Sequence, residues 1–102
     1  MVVRQFLANQ SAHSERREDL ILLHDRGEAK ATAWLYQRLI QELPGLSERS
    51  LVEDLARTGM VIDPKKPELD NLVWKYYVSV KKELQRRADH RIERVIAKAQ
   101  KQ

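Results

Sequence analysis

ELDNLVWKYYVSVKKELQRRADHRIERVIAKAQKQ, residues 68–102, contains neither glycine nor proline, so nothing in it stops a helix once one has started. At 1.5 Å per residue it reads as one element of about 50 Å, starting at Pro67 or Glu68. In its first half Leu69, Leu72, Val73, Tyr76, Tyr77, Val80 and Leu84 recur at helical spacing, a stripe broad enough to seal a bundle. Beyond Leu84 the stripe thins to Ala88, Ile92, Val95, Ile96 and Ala99 and drifts around the axis. Those five residues need a cover, since an isolated amphipathic helix is marginal in water. A second copy of the chain, a partner, or the N-terminal Val2, Val3, Phe6 and Leu7 could supply it.

Upstream lies Asp63-Pro64-Lys65-Lys66-Pro67, a stiff loop because each proline fixes its own dihedral and restrains its predecessor. Before it, Ser47 is a candidate N-cap, with Leu46 just outside and Leu51 at the fourth helical position, the hydrophobic-staple arrangement. The expected helix runs from Glu48 to Gly59, with Leu51, Val52, Leu55 and Ala56 on one side, and Met60-Val61-Ile62 forms an apolar linker. Another helix runs from about Glu28 through Trp34, Leu35, Leu39, Ile40 and Leu43 to the stop at Pro44-Gly45. A third, from about Ser14 to Arg26, carries Leu20-Ile21-Leu22-Leu23 and ends at Gly27, a left-handed cap. The polar run Asn9 to Asp19 separates it from a short first helix over Val2–Leu7. The expectation is an all-α fold: one helical domain over 1–102, three to four shorter helices with one long C-terminal helix.

No half-buried alternation of a strand and no internal repeat interrupts this pattern. Cysteine is absent, which removes disulfides and thiolate zinc sites from consideration. The first residues lack the basic and apolar regions of a signal peptide, and no apolar run is long enough for a membrane span; a cytoplasmic protein is the expectation. Charge is uneven. Residues 1–64 hold eight Lys and Arg against ten Asp and Glu, net −2, whereas residues 65–102 hold eleven against five, net +6. Such asymmetry suits an acidic partner.

Chemistry-bearing patterns are sparse. His13, His24 and His90 have no second ligand at the spacing that puts metal-binding side chains on one helix face. Glu18-Asp19 and Glu53-Asp54 are adjacent residues that diverge by about 100° on a helix, so they read as solvated faces and not as acid–base pairs. Ser11 and Ser14 beside His13 read as capping residues. Leu51–Val61 resembles the first helix and turn of a helix-turn-helix, but two prolines stand where the recognition helix would begin. No enzyme, metal or cofactor is expected.

What remains is the basic surface of the long helix. Arg87, Arg91, Arg94, Lys98 and Lys101 fall within about 80° of arc and form a stripe, with Asp89 and Glu93 on a different side. Lys75, Lys82 and Arg86 make a second track. Phosphates would be attracted to both. The leading expectation is therefore a small non-enzymatic nucleic-acid-associated or regulatory protein. The alternative is an adaptor or self-associating protein that docks an acidic partner, with Ala88, Ile92, Val95, Ile96 and Ala99 as the interface and a homodimer as its simplest form.

Overall fold

The computed structural model describes residues 2–100, with side chains from Ala12 onward. It is all-α: α1 Val2–Asp25, α2 Ala29–Glu42, a single 3-10 turn at Leu43–Gly45, α3 Glu48–Val61 and α4 Leu72–Gln100. At 1.5 Å per residue α1 is about 36 Å long, α2 and α3 about 21 Å each, and α4 about 43 Å. The molecule measures 57 × 41 × 20 Å, an elongated slab.

Local chemistry accounts for most boundaries. Gly27 takes φ +72, and Gly27 N–H donates to the His24 carbonyl while Glu28 N–H donates to that of Leu23, closing α1 with a Schellman turn as its sequence requires. Ser47 Oγ accepts from Ser50 N–H, and Leu46 and Leu51 are both buried, so cap and staple start α3 together. The helix runs through Gly59 to Val61, two residues past the expected end. A Cβ at Gly59 would lie 3.4 Å from the Tyr77 ring, an ordinary van der Waals contact, so the packing of α3 on α4 would admit a side chain there, and the glycine is no terminator.

Two boundaries differ from expectation. The long helix begins at Leu72, not at Pro67 or Glu68, because Asn71 Oδ1 accepts from Val73 N–H and Trp74 N–H and caps it there. Leu69 consequently lies in the preceding loop, exposed, and does not join the core stripe. The two expected N-terminal helices are one continuous α1, since the polar run from Asn9 to Asp19 is helical throughout.

The core lies where the four helices meet. Leu20 and Ile21 of α1, Leu35 and Leu39 of α2, Leu43 and Leu46 of the connection, Leu51 of α3, and Val73, Tyr76 and Val80 of α4 form one buried cluster. Leu84 packs on its edge. Beyond that point α4 leaves the core.

Candidate functional site

The polar run of α1 is helical because part of it faces inward. His13, Arg16, Arg17 and Leu20 repeat at steps of three and four, which places the three polar residues above a fully buried leucine. His13 is only 1% exposed. Its Nδ1 lies 2.9 Å from Glu42 Oε2 at the end of α2, and its Nε2 lies 2.6 Å from Asp54 Oδ2 on α3 and 2.8 Å from the Tyr76 hydroxyl on α4. The Tyr76 hydroxyl donates to the same Asp54 oxygen, Arg17 Nη1 donates to Asp54 Oδ1 at 2.7 Å, and Arg16 donates to Glu42. All four helices thus meet in one polar knot.

A carboxylate at each ring nitrogen requires both nitrogens to donate, so His13 is an imidazolium here. Burial alone would lower its pKa, but hydrogen bonds and charge from Asp54 and Glu42 outweigh this and raise it. Burial would raise Asp54; His13, Tyr76 and Arg17 reverse that and hold its carboxyl below the ordinary range. Glu42 is likewise lowered, its burial outweighed by Arg16 and His13. Tyr76 is pushed up by burial and by the neighbouring Asp54 charge, so it stays a phenol and a donor. With both ring nitrogens occupied and the ring sealed from solvent, the knot binds the four helices together.

The sequence reading of these residues needs correction. Asp54 is 1% exposed and not part of a solvated face, and Ser11 and Ser14, read as capping residues, lie inside α1 and not at a helix start. The spacing carried a signal: Leu51, Asp54, Leu55 and Thr58 share one helix face, with Asp54 among core positions.

The basic stripe is less free than its spacing suggests. Arg87 is half-buried, with Nε 3.0 Å from Glu83 Oε1, and its Nη2 donates to the carbonyls of Leu43 and Pro44. Arg86 pairs with the same Glu83 at 2.7 Å. Those two arginines, Arg86 first, pull the Glu83 carboxyl down to about 2. Arg91 reaches Glu48 at the start of α3, 3.1 Å away. The stripe is therefore partly neutralised, by Glu83 and Glu48 and not by the Asp89 and Glu93 that the arc argument set aside. Arg94, Lys98 and Lys82 are exposed without an ion pair among the described residues, and Lys75 is half-buried. Lys101 lies outside the described residues.

Every residue from Asp89 to Gln100 is exposed. Ile92 is 56%, Val95 67% and Ile96 51% exposed, Ala99 is exposed with them, and Ala88 is half-buried at the bundle edge. The side chains of Val2, Val3, Phe6 and Leu7, one expected cover, lie outside those described.

No family model, curated protein or solved structure matches this chain. Among the described residues no group of three or more His, Cys, Asp or Glu is arranged to hold a metal, and no helix is long and apolar enough to cross a membrane.

Proposed function

We propose that the chain is a non-enzymatic interaction module that self-associates through the outer half of α4 and so presents paired basic surfaces to an acidic partner. One observation supports this above the others: the row Ile92, Val95, Ile96 and Ala99 is exposed on a helix that has left its own bundle. Small monomers seldom carry a continuous apolar stripe into solvent, and helices of this kind gain their stability from a packed face. A symmetric pair would bury the stripe and bring two sets of Arg94 and Lys98 side by side, strengthening the field offered to anions.

Nucleic acid is the second reading for that partner, favoured by Arg94, Lys98 and Lys82, whose charges no neighbour neutralises among the described residues. Internal pairing of Arg86, Arg87 and Arg91 weighs against it, since a phosphate must then compete with Glu83 and Glu48. Gel shifts at two salt concentrations, alongside light scattering on the protein alone, separate the readings. Phosphate binding weakens steeply with salt because counterions are released, whereas association through an apolar face flanked by like charges is not weakened by it, since salt screens their repulsion. A mass that stays monomeric together with a steeply salt-dependent shift, abolished by Arg94→Glu with Lys98→Glu, would favour nucleic acid over self-association.

A further inference from the structure

α1 and α2 form a hairpin across the turn at Arg26–Glu28, and between them runs an open cleft of about 590 Å³. Arg16, Asp19, Leu22, Leu23 and Arg26 line one side, and Ala31, Trp34, Leu35 and Arg38 the other. Its middle is apolar: Trp34 is 66% exposed and Leu22 46%, beside half-buried Leu23 and buried Leu35. Its ends are cationic. Arg38 lies over the Trp34 ring, 5.9 Å from the centroid, and Arg16 stands with it at the Glu42 end. Arg26, at the turn end, has no ion pair among the described residues. Arg16 and Arg38 share the Glu42 carboxylate and Asp19 lines the groove, so three arginines face two carboxylates and Arg26 is the one left without a partner charge among the described residues.

We propose that this cleft is a docking groove for an acidic amphipathic helix of a partner protein, with Trp34 and Leu22 receiving its apolar side chains and Arg26 and Arg38 its carboxylates. The dimensions fit. Arg16 and Arg26 are ten residues apart, about 15 Å along α1, which is the length of nearly three helical turns. Tryptophan and arginine are among the side chains in which interface hot spots are enriched. Charge decides among occupants. The uncovered helical face that this chain could itself offer, Ile92 to Ala99, is flanked by Arg91, Arg94 and Lys98 and would meet a rim of its own sign. A partner carrying glutamates or aspartates beside its leucines meets the opposite sign. The surface is separate from the outer half of α4, and self-association there neither requires nor excludes it.

The test uses a dye-labelled synthetic peptide of about 15 residues, with leucines along one helical face and glutamates elsewhere, followed by fluorescence anisotropy on the full chain. A twin peptide with lysine for glutamate serves as the charge control. The acidic peptide should bind and the basic one should not, and Trp34→Ala and Arg26→Glu should each weaken binding about tenfold or more. Both positions are exposed, so helical circular dichroism should not change. Arg49→Glu, at an exposed position on α3, should leave the affinity within about twofold, as expected for a change distant from the contact. Chemical-shift mapping on the parent should show perturbations confined to residues 16–38. No binding of the acidic peptide, equal binding of the basic one, affinity untouched by Trp34→Ala and Arg26→Glu, or perturbations centred on α4 would each overturn the groove.

Discussion

His13 Nε2 and Asp54 Oδ2 lie 2.6 Å apart, 41 residues distant in sequence and both 1% exposed, and through them α1 is fastened to α3. The same histidine reaches α2 through Glu42 and α4 through Tyr76, so one side chain sets the register of all four helices. Removing one partner of a buried, hydrogen-bonded ion pair leaves the other charge uncompensated, which costs about 3–5 kcal/mol. His13→Ala and Asp54→Ala should each destabilise the fold by about that much in urea melts. A loss below about 1 kcal/mol, the range of an exposed pair, would show that the knot is solvated in solution.

The same groups give stability a defined pH profile. His13 is held above its ordinary 6.5, so the stability it lends is complete below that pH and disappears as pH climbs through the raised value. Asp54 and Glu42 are held below their ordinary 3.8 and 4.5, so theirs is complete above those values and is lost as pH falls through the lowered ones. Melting temperature should peak between pH 4.5 and 6.5 and fall on both sides. In His13→Ala the alkaline limb should flatten while an acid limb persists. An alkaline limb as steep in the variant as in the parent would place its origin outside the knot.

The start of α3 tests the local packing. Leu51→Ala should cost about 2 kcal/mol or more, because a fully buried side chain leaves a cavity. Ser47→Ala should cost about 1 kcal/mol for the lost cap on Ser50 N–H. Thermal midpoints that reverse this order would contradict the buried position of Leu51.

The arginines of α4 should separate into two classes. Arg87 bridges Glu83 and the carbonyls of Leu43 and Pro44, so Arg87→Ala should cost about 1 kcal/mol. Arg94 is exposed and Arg94→Ala should stay within about 0.5 kcal/mol. Replacing Arg87, Arg91 and Arg94 together is thus not neutral for the fold, so binding losses in such a variant should be read against Arg94→Ala alone. Equal stability of Arg87→Ala and the parent would show that Arg87 is free for a ligand.

The helices were legible where local chemistry ends them or apolar periodicity carries them: Gly27, the Ser47 cap with Leu46 and Leu51, and the stripe from Leu72 to Leu84. The polar knot was not. His13, Arg16, Arg17 and Asp54 have the composition of a solvated face; spacing puts Asp54 on the core face of α3, but the long-range pairing that makes its burial tolerable leaves no local pattern. That also explains the missed continuity of α1, whose polar run packs inward through charge. The basic stripe was legible as spacing, but Glu48, which captures Arg91, is 43 residues away.

Light scattering across a concentration series, with hydrogen exchange of α4 on the same samples, tests self-association most directly. The parent should pass from monomer to dimer as exchange slows between residues 89 and 100, and Ile92→Asp should remain monomeric with those amides unprotected. A parent that stays monomeric at high concentration while those residues are protected would contradict self-association, and would mean that the apolar row is covered from within its own chain.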